Sequence, residues 1–209
     1  MVADMVRAAI EKTYTGRMTL YESVNKQNED TSHAVKIVAI SDVHLGNGTG
    51  KASLKKYVEM INAQHPDLIL ISGDLIDNSV VPLYTENMAE ELAELKASMG
   101  IYMVLGNHEY ISGIDESIRY IKNTQIQLLR DSVVTLPNGI QLIGRDDHHN
   151  LKRRSLQELM ANVDKSKPII LLDHQPFNLK ETEAAGIDLQ FSGHTHHGQV
   201  WPINWVTDY

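Results

Sequence analysis

Six short apolar runs set the terms on which this chain can fold: "VKIVAIS" (35–41), "DLILIS" (67–72), "GIYMVLG" (100–106), "GIQLIG" (139–144), "KPIILLD" (167–173) and "GIDLQFS" (186–192). They are rich in β-branched residues and leucine and are bounded by Gly, Pro, Asp or Asn, as buried strands are. Between them "KASLKKYVEMINAQ", "YTENMAEELAELKAS" and "SLQELMANV" place apolar residues three and four apart, so each is expected to be a helix with one face on a sheet. The class is α/β. Ahead of this pattern, residues 2–12 can form an amphipathic helix, and 24–33, "VNKQNEDTSH" with its flanks, reads as a linker or hairpin edge. The expected division is therefore residues 1–34 as a helix with a linker or edge strand, and 35–209 as the domain.

The polar residues gather where these runs end. Asp42 and His44 follow the first, Gly73 and Asp74 the second, and Gly106, Asn107, His108 and Glu109 the third. Asp173 and His174 close "IILLDHQP", and His194 and His196 close "LQFSGHTH". Loops beyond strand C-termini are where sites assemble in layered α/β folds. An acid or amide at a strand end is also an ordinary turn former or helix cap. Capping gives no reason for histidine to recur at these ends, and the joint pattern points to ligands.

With no cysteine in the chain, a metal has only His, Asp, Glu, Asn or water to bind it. If the loops converge, they supply carboxylates, an amide oxygen and several imidazoles, enough for two divalent ions. Carboxylate and imidazole suit Mn, Fe or Zn. Asp74 is best placed to bridge, holding two ions ~3.5–4 Å apart. In Asp-x-His and His-x-His, alternate residues of an extended chain face one side and can flank an ion. Gly73, Gly106 and Gly193 allow tight turns beside the ligands.

The ordered blocks "SDVH", "GDL", "GNHE", "DHQP" and "GHTHHGQ" resemble those of the calcineurin-like metallophosphoesterase superfamily, over residues 35 to about 203. The resemblance implies a double β-sheet sandwich flanked by helices. It implies one metal held by Asp42, His44, Asp74 and His196, and a second by Asp74, Asn107, His174 and His194. His108 would be the unligated imidazole that protonates the leaving oxygen while a metal-bridging hydroxide attacks a phosphodiester or phosphomonoester. "RDD" (145–147), "LLDHQP" and "GHTHHGQVWP" are similar to a bacterial branch often tethered by N-terminal membrane helices. His197 stands where such members carry glycine and could crowd the turn or add a donor. Members usually continue for several strands, so the chain reads as truncated at its C-terminus, and exposed edge strands would favour self-association.

Further residues are expected to support the site. Glu109 and Asp173 would accept the second N–H of ligand imidazoles. Arg145 would contact phosphate through its forked guanidinium or pair with Asp146 or Asp147. His148 and His149 are candidates for contacting substrate or supporting a ligand, and His33 and His65 are expected on the surface.

Several alternatives fall away. "GNGTGK" has Leu45 in place of the first glycine of a phosphate-binding loop and Ala52 after Lys51. Position 112 is serine, so His108 and Glu109 start no zinc-protease motif, and no serine-hydrolase elbow is present. A net charge of −8 and a pI near 5.6 argue against duplex nucleic acid as partner and leave a small phosphoester. No run approaches the ~20 apolar residues of a membrane span, so the chain is expected to be soluble, with a membrane tether only in a longer parent protein. The competing reading is a metal-binding scaffold of the same fold that has lost turnover.

Overall fold

The computed structural model describes residues 6–7, 18–23 and 35–195. His33, His196, His197 and the proposed linker at 24–33 lie outside the described residues. The apolar runs are strands of two sheets. The first has the order β1 (Val6–Arg7), β2 (Met18–Ser23), β3 (Lys36–Ile40), β4 (Leu68–Ser72), β5 (Ile101–Val104), β6 (Gln127–Leu128). From β3 to β6 it is parallel, and β1 and β2 run antiparallel. The second sheet has β7 (Ser132–Thr135) paired antiparallel with β8 (Gln141–Gly144), followed by the parallel strands β9 (Ile169–Leu172) and β10 (Leu189–Phe191).

Period-two alternation along the strands builds the layers. Leu68 and Leu70 of β4 and Tyr102 and Val104 of β5 face the second sheet, where Leu142, Ile170, Leu172 and Phe191 meet them. Their neighbours Ile69, Ile71, Ile101 and Met103 face the other way, onto α1 (Lys51–Ala63), α3 (Ala89–Ala93) and α5 (Ile114–Lys122). Ile143, Ile169 and Leu171 cover the outer face of the second sheet together with α6 (Leu156–Met160), and α7 (Leu179–Ala185) adds Ala185. The result is the expected sandwich of two sheets between helices. Every residue of β4 is buried, because layers cover both of its faces.

The expectations differ from the fold in a few elements. At Val6–Arg7 the backbone pairs with β2 rather than forming the helix expected over 2–12. The single helix expected over 84–98 is broken into α2 (Val81–Thr85) and α3, because Asn87 adopts a left-handed φ of 53°. The helices α4 (Asn107–Ile111), α5 and α7 and the strands β6 and β7 were not expected. β7 alternates between half-buried and exposed and carries too little apolar signal to stand out.

The strand ends are level. Gly144 pairs with Leu172 and Leu172 with Phe191, while Ser72 pairs with Val104. Loops from both sheets therefore open at one edge of the sandwich. Near that edge the layers approach closely at Gly144, where an added Cβ would overlap Leu129 Cβ and lie 3.0 Å from Val104 Cγ1. Gly144→Ala is expected to destabilise the fold by about 1–3 kcal/mol through overpacking, read as a lower urea midpoint at unchanged slope.

Candidate metal centre

Loop ladders carry the ligands beyond the strands. Asp42 N donates to Gly73 O (3.1 Å), His44 N to Asp74 O (3.0 Å) and Leu45 N to Leu75 O (2.8 Å). Contrary to the expectation from sequence, the Asp-x-His pair is not extended. Asp42, His44 and Asp74 have φ of 53°, 51° and 53°, and His194 has 70°. This left-handed region is sparsely used by residues with a Cβ and most accessible to Asn, Asp and His. Gly73, at φ 85°, could carry no Cβ without meeting Gly106 N and His174 Nδ1, both at 2.7 Å. A Cβ on Gly106 would overlap the Asp74 carboxylate.

Asp74 is the hub. Its Oδ1 accepts from His108 N (2.9 Å), and its Oδ2 lies 3.2 Å from His174 Nε2 and 3.9 Å from His44 Nε2. Asp42 accepts from His194 N at 3.0 and 3.2 Å and stands 4.0 Å from His44 Nε2. Asn107 Oδ1, from the first sheet, meets His174 Nε2 (3.1 Å) and His194 Nδ1 (2.9 Å), both from the second. Among the described residues, two donor groups have all their candidate ligand atoms within 4.8 Å of one another: His44, Asp74 and His108, and Asp42, Asp74 and His174.

Tautomer logic shows that these residues fit a cation. His174 Nδ1 is 2.7 Å from Ser72 O, a pure acceptor, so that nitrogen carries the proton. In a neutral ring Nε2 is then a lone pair, aimed at the oxygens of Asp74 and Asn107. Three lone pairs converge, which calls for a proton or a metal ion between them. Burial works against charge on His174, but Asp74 outweighs it and the pKa is pushed up to about 9. Asp74 is held below the usual carboxylate range: burial opposes this, and His174 and the His108 N–H overcome it. His194 is pushed down by burial and by His174, toward the neutral form that binds metal.

Glu109 and Asp173 have other partners than the imidazoles expected. Glu109 is fully buried and accepts from the backbone N–H of Gly106 (2.7 Å), Asp74 (3.0 Å) and Ile76 (2.9 Å), tying the turn after β4 to the turn after β5. Burial pushes its pKa up to about 7 against those donors. The role foreseen for these acids falls at His174 to a backbone carbonyl. Asp173 instead receives Arg145 Nη1 (3.2 Å) and Arg153 Nη2. Asp146 pairs with Arg130 (2.7 Å), so neither Asp146 nor Asp147 is the partner found for Arg145. His149 Nδ1 lies 2.7 Å from Asp147 Oδ1, and its ring stacks on Tyr110 at 5.6 Å. His148 and His65 are exposed, and His148 meets Phe177 edge-on at 5.4 Å.

Asp77 was missed. Its Oδ1 stands 3.2 Å from His108 Nδ1 and 3.5 Å from His44 Nδ1, between two rings in edge contact at 4.4 Å. The available signal was its place three residues after Asp74 in "GDLID", where an acid reads as a turn former.

Two facing sheets between helices, with carboxylate, amide and imidazole groups brought from both sheets to one edge, define a layered α/β fold with a candidate metal centre. The chain belongs to the calcineurin-like phosphoesterase family, whose pattern matches residues 35–198, and phosphoester hydrolysis is the chemistry of that family. It is 34% identical over 175 residues to an uncharacterized metallophosphoesterase of Helicobacter pylori, covering 81% of this chain and 46% of that protein. It is 33% identical over 190 residues to a bovine (Bos taurus) transmembrane protein with metallophosphoesterase domain, covering 82% and 42%. The chain thus spans about half the length of these relatives, or less. The 5'-nucleotidase precursor of Thermus thermophilus shares the fold, at a TM-score of 0.50 and 15% identity over 77% of this chain and 41% of that one.

Gly106→Ala is expected to displace the Asp74 carboxylate. Added Mn²⁺ should raise the melting temperature of the chelator-treated native protein, since an ion that binds only the folded state stabilises it. The same addition should leave the variant's melting temperature nearly unchanged.

Proposed function

We propose that the chain hydrolyses phosphoester bonds at a centre of two divalent metal ions, with His108 as proton donor. One ion is assigned to Asp42, His44, Asp74 and His196, the other to Asp74, Asn107, His174 and His194. The observation that carries this reading is Asp74, which belongs to both donor groups and so can serve two ions with one carboxylate. When bound, the ions supply Lewis-acid chemistry: activation of water near neutral pH and neutralisation of charge on the phosphoryl oxygens.

The chain's own residues supply position and a proton. Asn107 begins α4 with His108 directly after it, so the ring of His108 stands beside the ligands rather than remote from them. The Asp77 carboxylate at 3.2 Å from Nδ1 orients that ring, as a carboxylate orients a catalytic imidazole in other hydrolases. His108 needs only to donate to the departing oxygen. Its ring is also within ligand reach of His44 and Asp74, so the test has to separate a donor from a ligand. The substrate proposed is a small phosphoester. Among the described residues no helix is long and apolar enough to cross a membrane. The name of the bovine relative supports a tether carried elsewhere in a parent protein.

Elemental analysis of Mn-loaded protein is expected to give about two ions per chain, the count of a two-metal centre; one or none overturns the assignment. Asp74→Asn should weaken both sites and His196→Ala chiefly one. His108→Ala should slow turnover by ~10² to 10⁴ with both ions retained, most for alkyl esters and least for nitrophenyl esters, whose leaving group departs unaided. Loss of metal in His108→Ala, or equal slowing of good and poor leaving groups, would make His108 something other than a proton donor.

A further inference from the structure

Beside the metal centre, on the outer side of β9, two guanidinium groups converge on one carboxylate. Leu172 points between the sheets and Leu171 outward. The same alternation continues past the strand: His174 turns in toward Ser72 and Asp74, and Asp173 meets Arg145 and Arg153 instead. The side chains of Arg145, Arg153 and Asp173 are 12%, 6% and 3% exposed. Arg145 is set at the end of β8 by its N–H to Leu172 O (3.0 Å), and its Nη2 also donates to Arg154 O (3.3 Å).

This is more positive charge than a structural pin requires. One Asp–Arg pair would fasten the loop to the strand; a second buried guanidinium adds desolvation and like-charge repulsion. Burial, and then Arg153, lower the pKa of Arg145, which is the mark of that repulsion. Among the described residues, Arg145 Nε, Arg153 Nε and Arg153 Nη1 are sealed from solvent with no hydrogen-bond acceptor, while Asp173 Oδ1 of the carboxylate they surround is unpartnered, as are Asp147 Oδ2 and Gln175 Oε1 on the adjoining loops. Unsatisfied charged donors of this kind are costly, and the ligand that would satisfy them is an anion with several oxygens, matched to the guanidinium fork.

The cluster connects to the catalytic edge through aromatic rings. The Phe177 ring lies 6.3 Å from that of His194 and 5.4 Å from that of His148. His148 in turn interacts electrostatically with Arg153, Asp173 and Arg145. His148, Leu151 and Lys152, in the tract that leads to Arg153, are exposed.

We propose that Arg145 and Arg153 form an anion subsite that takes a second negatively charged group of the substrate, a phosphate or carboxylate carried beyond the ester that is cleaved. This rests on the phosphoesterase reading above. The substrate class is then a compound with two separated anionic groups. Free inorganic phosphate shares that chemistry and is the alternative occupant.

Two measurements on the full chain separate these sources and test the site. In the first, Mn-loaded protein is given α,ω-alkanediol bisphosphates of graded length and the matching alkyl monophosphates. Bisphosphates long enough to span the edge are expected to have KM about ten- to a hundredfold below their monophosphate partners, the weight of one charge-assisted contact, with similar kcat. Arg153→Ala should bring that KM ratio to near one, and Arg153→Lys should keep part of it. A ratio near one in the native protein, or one untouched by Arg153→Ala, overturns the subsite for substrate. In the second, inorganic phosphate is titrated against Asp74→Asn protein while melting is followed. A rise that is lost on adding Arg153→Ala or Arg153→Gln supports the anion site even if no ester is turned over, so failure of the phosphoesterase reading is seen separately. No rise, or one that survives those changes, makes the cluster a structural pin.

Discussion

The Glu109 carboxylate is the clasp on which the strand-end loops depend. It is sealed from solvent and accepts from Gly106, Asp74 and Ile76, so the turn after β4 and the turn after β5 are held by one side chain. A buried carboxylate is tolerated only when donors surround it, and these donors are backbone groups that the turns leave unpaired. The clasp fixes Asp74, and Asp74 then meets imidazoles from two directions: His44 across the first sheet and His174 from the second. Loosening the clasp would therefore disturb both donor groups together, although Glu109 contacts no ligand side chain among its described bonds.

The two sheets divide the labour by pleat. On β9, alternation sends His174 inward to the metal centre and Asp173 toward the guanidinium pair, so one short loop serves two electrostatic environments of opposite sign. Inward lies a cluster of oxygens and imidazole lone pairs that calls for cations. Outward lies a guanidinium pair with donors to spare, which calls for an anion. Their proximity along the chain is a consequence of period-two geometry, and it places a cation site and an anion site at one edge of the sandwich.

Much of this was legible in the sequence, for identifiable reasons. "LILIS" announces a strand buried on both faces, and β4 is that strand. The recurrence of His at strand ends foretold which residues meet, and Asp42, His44, Asp74, Asn107, His108, His174 and His194 stand together at one edge of the sandwich. What stayed hidden depends on distance in the chain or on backbone conformation. Arg153 reads as one more charge in "LKRR", and nothing local shows that it folds back 20 residues to Asp173. Asp77 shares its short stretch with Asp74, yet its partners are rings 33 and 31 residues away on either side in sequence, set by Val43–Leu45 and by α4. The break at Asn87 turns on a single left-handed residue, which helical periodicity cannot register.

The same left-handed residues explain why fold and centre cannot be separated. Asp42, His44, Asp74 and His194 all hold positive φ, a conformation that costs of order 1–3 kcal/mol in a residue with a Cβ and persists only where its surroundings over-determine it. Here the surroundings are the ladder from Asp42 N to Gly73 O and from His44 N to Asp74 O, and the carboxylate of Asp42 closing on His194 N. Asp42 and His44 are thus held by the backbone of the Gly73–Asp74 turn, and His194 by a side chain. Asp42 depends on the turn of Asp74, and His194 depends on the carboxylate of Asp42. An extended Asp-x-His pair would point both side chains one way, whereas the left-handed turns let Asp42 reach toward the second sheet while His44 stays beside Asp74 and Asp77. The backbone strain is what allows ligands from two sheets to share one small volume.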